Sequence, residues 1–392
     1  MELGIKFMDQ SIRVNKREDG LYHAYNLISL SDQSISIRHL YEMLEGQVAV
    51  LSSGYLSVQE SLDILNSLKK SALFRRDQYS YLLYPNRQLP LFIQKNNIPA
   101  GKVNESKLLS QLIADADLSI LSKDDLGNYH FNGSFRNAGM LGNALNQLDQ
   151  TKYATLLSEE KEMIQSLFVE LFDHQSFTGR SGAFYGYEGL GSIYWHMVSK
   201  LLLAVQECFF RGVDEGADPV IIGKLKDHYY EIKAGIGLYK SPELYGAFPT
   251  DAYSHTPANA GAQQPGMTGQ VKEDFVSRMH EIGIHVQKGE IVFIFSLFNS
   301  EELLKQDSVF ELFDLKGANQ QIILQKGQFG FTFCQVPVVY NTSDEDKIAI
   351  TFGDGKQIVL SGHSINTELS NRIFQRTEDV VKLEVSFRDL AI

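Results

Sequence analysis

Across 392 residues, 48 acidic side chains outnumber 36 basic ones, for a formal charge of −12 with no long run of one sign. That balance excludes nucleic acid as a partner, because its binding is driven by clustered Lys and Arg. A chain of this length buries a core without staples, so Cys208, in a helical apolar run, and Cys334, in a strand-like one, read as buried hydrophobes and not as a bridge or half a metal site.

The first residues lack a basic segment followed by an apolar core and a small-residue cleavage site, so a cytoplasmic location is expected. Apolar residues at three- and four-residue steps predict helices over 37–51, 57–72, 107–115, 138–149, 157–173, 192–210, 219–230 and 269–283. Ser57 with Glu60 makes a capping box, and Thr268 is placed to cap the last helix. The longest apolar run, Ile193 to Phe210, is broken by His196, Ser199, Lys200, Gln206 and Glu207, which predicts a helix buried in protein and no membrane span. Three long polar-aromatic loops, 73–106, 174–191 and 235–268, separate the helices, and loops of that length usually do a job.

From Gly289 the period changes to two. Strands are expected at Ile291–Phe295, across Phe329–Tyr340, and at Ile348–Phe352, which turns through Gly353-Asp354-Gly355 into Gln357–Leu360 as a hairpin. Val381, Leu383, Val385 and Phe387 alternate with Lys382, Glu384 and Ser386 in a last, half-exposed strand. The fold class is thus multidomain, α then β, with a helical domain over 1–285 and a β-sandwich over 286–392.

Three clusters carry chemistry. Asp173 to Gly182 leads through Tyr185, Tyr187 and Glu188 to the mouth of the buried helix; there Thr178, Arg180 and Ser181 can hold an oxyanion or a sugar hydroxyl, or simply cap that helix. The glycines at 179 and 182 miss the spacing of a serine-hydrolase elbow, and those from 186 to 191 stand in the wrong order for a dinucleotide fingerprint. The second cluster, Tyr245 to Pro257 running on to Gln270, offers Tyr253, His255, Gln263 and Gln264, suited to gripping hydroxyls and stacking on a pyranose, or to tying down a loop. No Cys/His set has metal-ligand spacing. The third places Asp77-Gln78-Tyr79 and Tyr84-Pro85-Asn86-Arg87 on one loop, and His130 to Asn137 on another, where they can extend a carbohydrate cleft or simply form surface turns.

Breaking a glycosidic bond needs a carboxylic acid at the leaving oxygen and a second carboxylate, or, in a phosphorylase, bound phosphate in place of the second. Glu188, Asp251 and Asp77 are the candidate carboxyls. No cofactor is required, and inorganic phosphate is the possible co-substrate.

At Ser176–Gly182 through Tyr187–Met197, and again at Tyr245–Gln270, the chain resembles a group of large bacterial proteins similar in organisation to carbohydrate enzymes of the cellobiose-phosphorylase type. The resemblance implies a toroid of six inner and six outer helices followed by a β-sandwich, with Gly189 to Trp195 in the place where such enzymes bind phosphate and Trp195 among the substrate-binding residues. It implies an oligosaccharide substrate acted on by a glycoside hydrolase or phosphorylase. Eight predicted helices against twelve leave a partial toroid, a fragment of a longer gene or one half of a split protein, and the expected protein partner is a chain that completes the toroid or, alternatively, a second copy in a homo-oligomer. The alternative is a non-catalytic carbohydrate-binding or assembly module, one half of a split enzyme.

Overall fold

The computed structural model describes residues 2–31, 33–174, 191, 193–238, 255–256 and 268–388. Contacts divide the chain into two compact units, one of residues 1–197 with 237–264, the other of 198–236 with 265–392.

The first unit opens with helix α1 (Glu2–Val14) and a hairpin of β1 (Asn26–Leu30) and β2 (Ile35–His39). Helix was expected from residue 37, but Ile35-Ser36-Ile37-Arg38 alternates with period two, and α2 (Leu44–Ser52) starts only at Leu44. Leu44 is tied to the next segment by its amide, which donates to the Leu83 carbonyl at 3.0 Å. Helix α3 (Val58–Lys70) has the expected capping box: the Glu60 amide donates to Ser57 Oγ at 3.2 Å, and the Ser57 amide to Glu60 Oε2 at 2.9 Å. The region read as a loop over 73–106 holds β3 (Phe74–Arg75), β4 (Ser80–Tyr81), α4 (Phe92–Lys95) and α5 (Ala100–Glu105).

Residues 98–168 then build a core of their own. Helices α6 (Lys107–Ala114), α7 (Ala138–Asn146) and α8 (Gln150–Phe172), with the hairpin β5 (Leu121–Lys123) and β6 (Tyr129–Phe131), enclose Ile98, Leu108, Leu112, Ile120, Phe131, Leu141, Leu145, Ile164 and Phe168. Glu160 of α8 serves as an external cap for α6, accepting from Ser106 Oγ at 2.6 Å and from the amides of Lys107 and Leu108 at 3.0 Å. Its carboxyl is raised by burial, yet these hydrogen bonds outweigh that and hold it below the usual range. The unit also contains β7 (Ile193–Tyr194) and β8 (His255–Thr256).

The second unit takes most of α9 (Trp195–Asp214), then α10 (Pro219–Lys233) and α11 (Thr268–Glu281), followed by the strands. Its β-rich region has several sheets. β13 (Gln328–Phe333), β14 (Val336–Thr342), β15 (Lys347–Phe352), β16 (Gln357–Ser361) and β18 (Val380–Phe387) form a five-stranded sheet in the order β13-β14-β18-β15-β16, parallel only between β14 and β18. β9 (Ile284–Gln287), β10 (Glu290–Phe293) and β17 (Ser364–Ile365) make a three-stranded sheet, and β11 (Ser308–Phe313) pairs with β12 (Asn319–Leu324). Helix α12 (Thr367–Phe374) adds Leu369 and Ile373 to the core that the two larger sheets share.

The expected 348–360 hairpin is present, and in the last strand Leu383, Val385 and Phe387 are inward as read, but Val381 is exposed and Val380 is buried in its stead, where a bulge shifts the pairing with β15, and the strand is the central one of its sheet. Phe329–Tyr340 is two strands, because Cys334 and Gln335, at φ 52° and 64°, form a two-residue turn of the left-handed kind that suits a hairpin. Cys334 is therefore a half-buried turn residue and Cys208 a buried one, both free thiols.

Candidate functional site

Of the candidate residues, Thr178, Arg180, Ser181, Tyr187, Glu188, Asp251, Tyr253, Gln263 and Gln264 lie outside the described residues. Asp77, Trp195 and the backbone of His255 lie within them, and these mark where the three predicted loops meet.

The meeting place is built from short strands. β7 pairs with β8 through Ile193 with Thr256 and Tyr194 with His255, so the segment leaving the 174–191 loop runs against one that belongs to the 235–268 loop. β4 packs alongside β7, which brings in the 77–87 segment. Gly191, at φ +66°, packs closely on this segment: a Cβ there would stand 2.8 Å from Asn86 Oδ1, so a side chain at this position would strain the backbone and push Asn86 aside. The sequence places candidate residues on three separate loops; backbone pairing joins two of them, and packing of β4 beside β7 brings the third alongside.

Around this junction the side chains are aromatic and amide-rich. Gln78, Ser80, Tyr81 and Tyr84 are buried, and the Oγ of Ser80 has no hydrogen-bond partner. Tyr194 and His196 meet edge to face, with Tyr194 Oη 3.4 Å from His196 Nδ1. Trp195, expected among the substrate-binding residues, opens α9 and is fully buried.

Asp77 sits in the turn between β3 and β4 and receives Arg75 in a fork, Nε to Oδ1 at 3.0 Å and Nη2 to Oδ2 at 3.0 Å. Partial burial pushes its carboxyl up, but hydrogen bonds and charge from Arg75 win and hold it below the ordinary carboxylate range. Asp77 is thereby a fixed negative charge and a poor proton donor at neutral pH. Arg87 differs from Arg75 in having no carboxylate partner among the described residues: its guanidinium lies over the ring of Tyr41, 3.5 Å from the centroid, and its buried Nε has no acceptor among them. A planar cation held flat by a ring is of the kind that receives an oxyanion in a bidentate way, and the Nε of this one is unspent among the described residues. Tyr41 escaped the sequence reading because 37–51 was read as helix. Among the described residues no group of three or more His, Cys, Asp or Glu could hold a metal ion, and no helix is long and apolar enough to cross a membrane.

Residues 89–175 match the family model described as GH149 phosphorylase insertion domain 2. The match brackets the self-contained core of residues 98–168, so sequence and packing delimit the same piece. Three helices that had been counted towards a toroid, those predicted at 107–115, 138–149 and 157–173, fall inside it. Among curated proteins, none matches the chain.

Proposed function

We propose that the chain is a glycoside-phosphorylase-related protein that acts on an oligosaccharide with inorganic phosphate as co-substrate. The match of residues 89–175 to a phosphorylase insertion domain carries this reading, and Arg87, without a carboxylate partner among the described residues, supports it. In phosphorolysis a carboxylic acid protonates the glycosidic oxygen while a phosphate oxygen attacks the anomeric carbon; the bond to the leaving sugar breaks, a sugar–phosphate bond forms, and the proton ends on the departing hydroxyl. Glu188 or Asp251 takes the acid role, with Thr178, Arg180 and Ser181 at the anion and Tyr187, Tyr253, His255, Gln263 and Gln264 at the sugar. The helices outside 89–175 belong in this reading to a partial toroid, with a β-sandwich after it.

Arg87 gives the test. Titration of the folded protein with inorganic phosphate, with an oligosaccharide present, should show binding that Arg87→Gln weakens about 10- to 100-fold, the loss of a charge-assisted hydrogen-bond pair. Arg87→Lys should recover little of it, because an ammonium cannot reproduce the fork. Equal phosphate affinity in all three proteins would remove Arg87 from the site. A non-catalytic glycan-binding role is favoured by one observation, that the matched segment is an insertion domain; it predicts sugar binding without any turnover.

A further inference from the structure

The hairpin of β1 and β2 is ordered by three sets of contacts and yet buries none of its residues. At its base, Asn26 and His39 face each other and are joined by a 2.7 Å hydrogen bond between Asn26 Oδ1 and His39 Nδ1. Asn26 Nδ2 donates to Asn15 Oδ1 at 2.9 Å, and the His39 ring stacks on His23 at 4.1 Å and 10°. The reverse face is tied down by Arg38, whose guanidinium forks onto Asp173 at 2.8 and 3.1 Å.

The remaining face is apolar. Residues opposite one another on antiparallel strands share a face, so the pairs Ile28 with Ile37 and Leu30 with Ile35 form one patch. These four side chains are 66%, 58%, 75% and 71% exposed. A two-stranded hairpin is marginal in water without something on its face, and three β-branched isoleucines there are a poor choice for solvent. The held base and back fix the direction in which the patch points, so little ordering remains to be done on contact.

We infer that this face packs on the same face of a second copy of the chain. A patch that is apolar throughout is self-complementary, which is what a two-fold contact requires. Charge is compatible with the same occupant: the chain is strongly acidic, but the twenty residues from Tyr22 to Tyr41 contain one acid, Asp32, and one base, Arg38, so this segment adds no net charge of its own to the contact. The four side chains offer roughly 500 Å² per copy, roughly 1,000 Å² for two, the lower bound of a specific interface. The result is a reversible dimer rather than a permanent one. This inference is independent of the phosphorylase reading.

Sedimentation or light scattering of the whole chain from about 1 to about 100 µM tests it. The dimer should form within that range, and Ile28→Thr with Ile37→Thr, which keeps strand-forming branched side chains, should weaken it at least about tenfold. Val309→Thr, at an exposed apolar position on the β11–β12 hairpin, should leave the association unchanged. A wild-type chain that stays monomeric throughout overturns the inference and hands the face to a different polypeptide. A dimer that survives the double substitution, with circular dichroism unchanged, overturns it as well.

Discussion

Gln47 has no exposed surface, and its amide does the work of a missing strand: Oε1 accepts from the Tyr22 amide at 2.9 Å, and Nε2 donates to the Tyr22 carbonyl at 2.8 Å and the Met43 carbonyl at 3.0 Å. Leucine at this position keeps the volume and strands both polar groups of Tyr22 away from water. Gln47→Leu should therefore cost about 2–4 kcal/mol, seen as a lowered urea midpoint, because buried orphaned groups carry their full desolvation cost. A change below about 0.5 kcal/mol would show that these groups find other partners. Such a residue is hard to recognise in sequence: a glutamine in an amphipathic segment looks like solvent-facing polarity, and only the position of Tyr22 makes it interior. The same limit hid Tyr41, whose role depends on Arg87, distant in sequence. Arg87 itself was legible, since the 84–87 segment combined an aromatic, an amide and a cation on one loop.

Elements with local signals were read well, and those decided by distant packing were not. The Ser57 and Glu60 cap and the Gly353-Asp354-Gly355 hairpin each carry their own chemistry within a few residues. The Cys334–Gln335 turn does not, because two residues with side chains occupy the left-handed region that normally announces itself with Gly or Asn. The β1–β2 hairpin was missed since its apolar residues lie outside any core. Where α9, α11 and β9 meet, His285 stacks on His280 at 4.5 Å and meets Phe210 edge-on at 4.6 Å. Burial, with the neighbouring His280 adding to it, pushes the His285 imidazole down to about 4.

An unfolded histidine titrates near 6.5, so between those values the unfolded chain binds the extra proton. Stability from this site is complete above about pH 6.5 and is lost as pH falls towards 4, by an amount on the order of 3 kcal/mol at most. Denaturant unfolding should show the wild type losing stability over that window and His285→Phe, which has no proton to bind there, losing none of it, so the difference between the two shifts against the wild type by up to that amount as pH falls. Parallel curves would mean that His285 is not kept neutral by its surroundings.

At the scale of the whole chain, two compact units and one matched insertion domain frame the functional reading. The order of helices before strands was legible because the hydrophobic period switches near Gly289. The division into units was less so, because α10 and α11 precede the strands in sequence but count with them in the second unit. The candidate residues stood on three polar-aromatic loops, and the approach of those loops to one another rests on the β7–β8 pairing of two-residue strands, which no periodicity signals, and on the packing of β4 beside β7.

Phosphorus NMR of the intact protein with an oligosaccharide panel and inorganic phosphate is the most direct test of the central claim. The account predicts a glycosyl phosphate resonance that grows at the expense of inorganic phosphate, needs both substrates, and is abolished in a Glu188→Gln, Asp251→Asn double variant. Unchanged phosphate over the whole panel, with the protein shown to be folded, would contradict it, as would free sugar released at the same rate without phosphate.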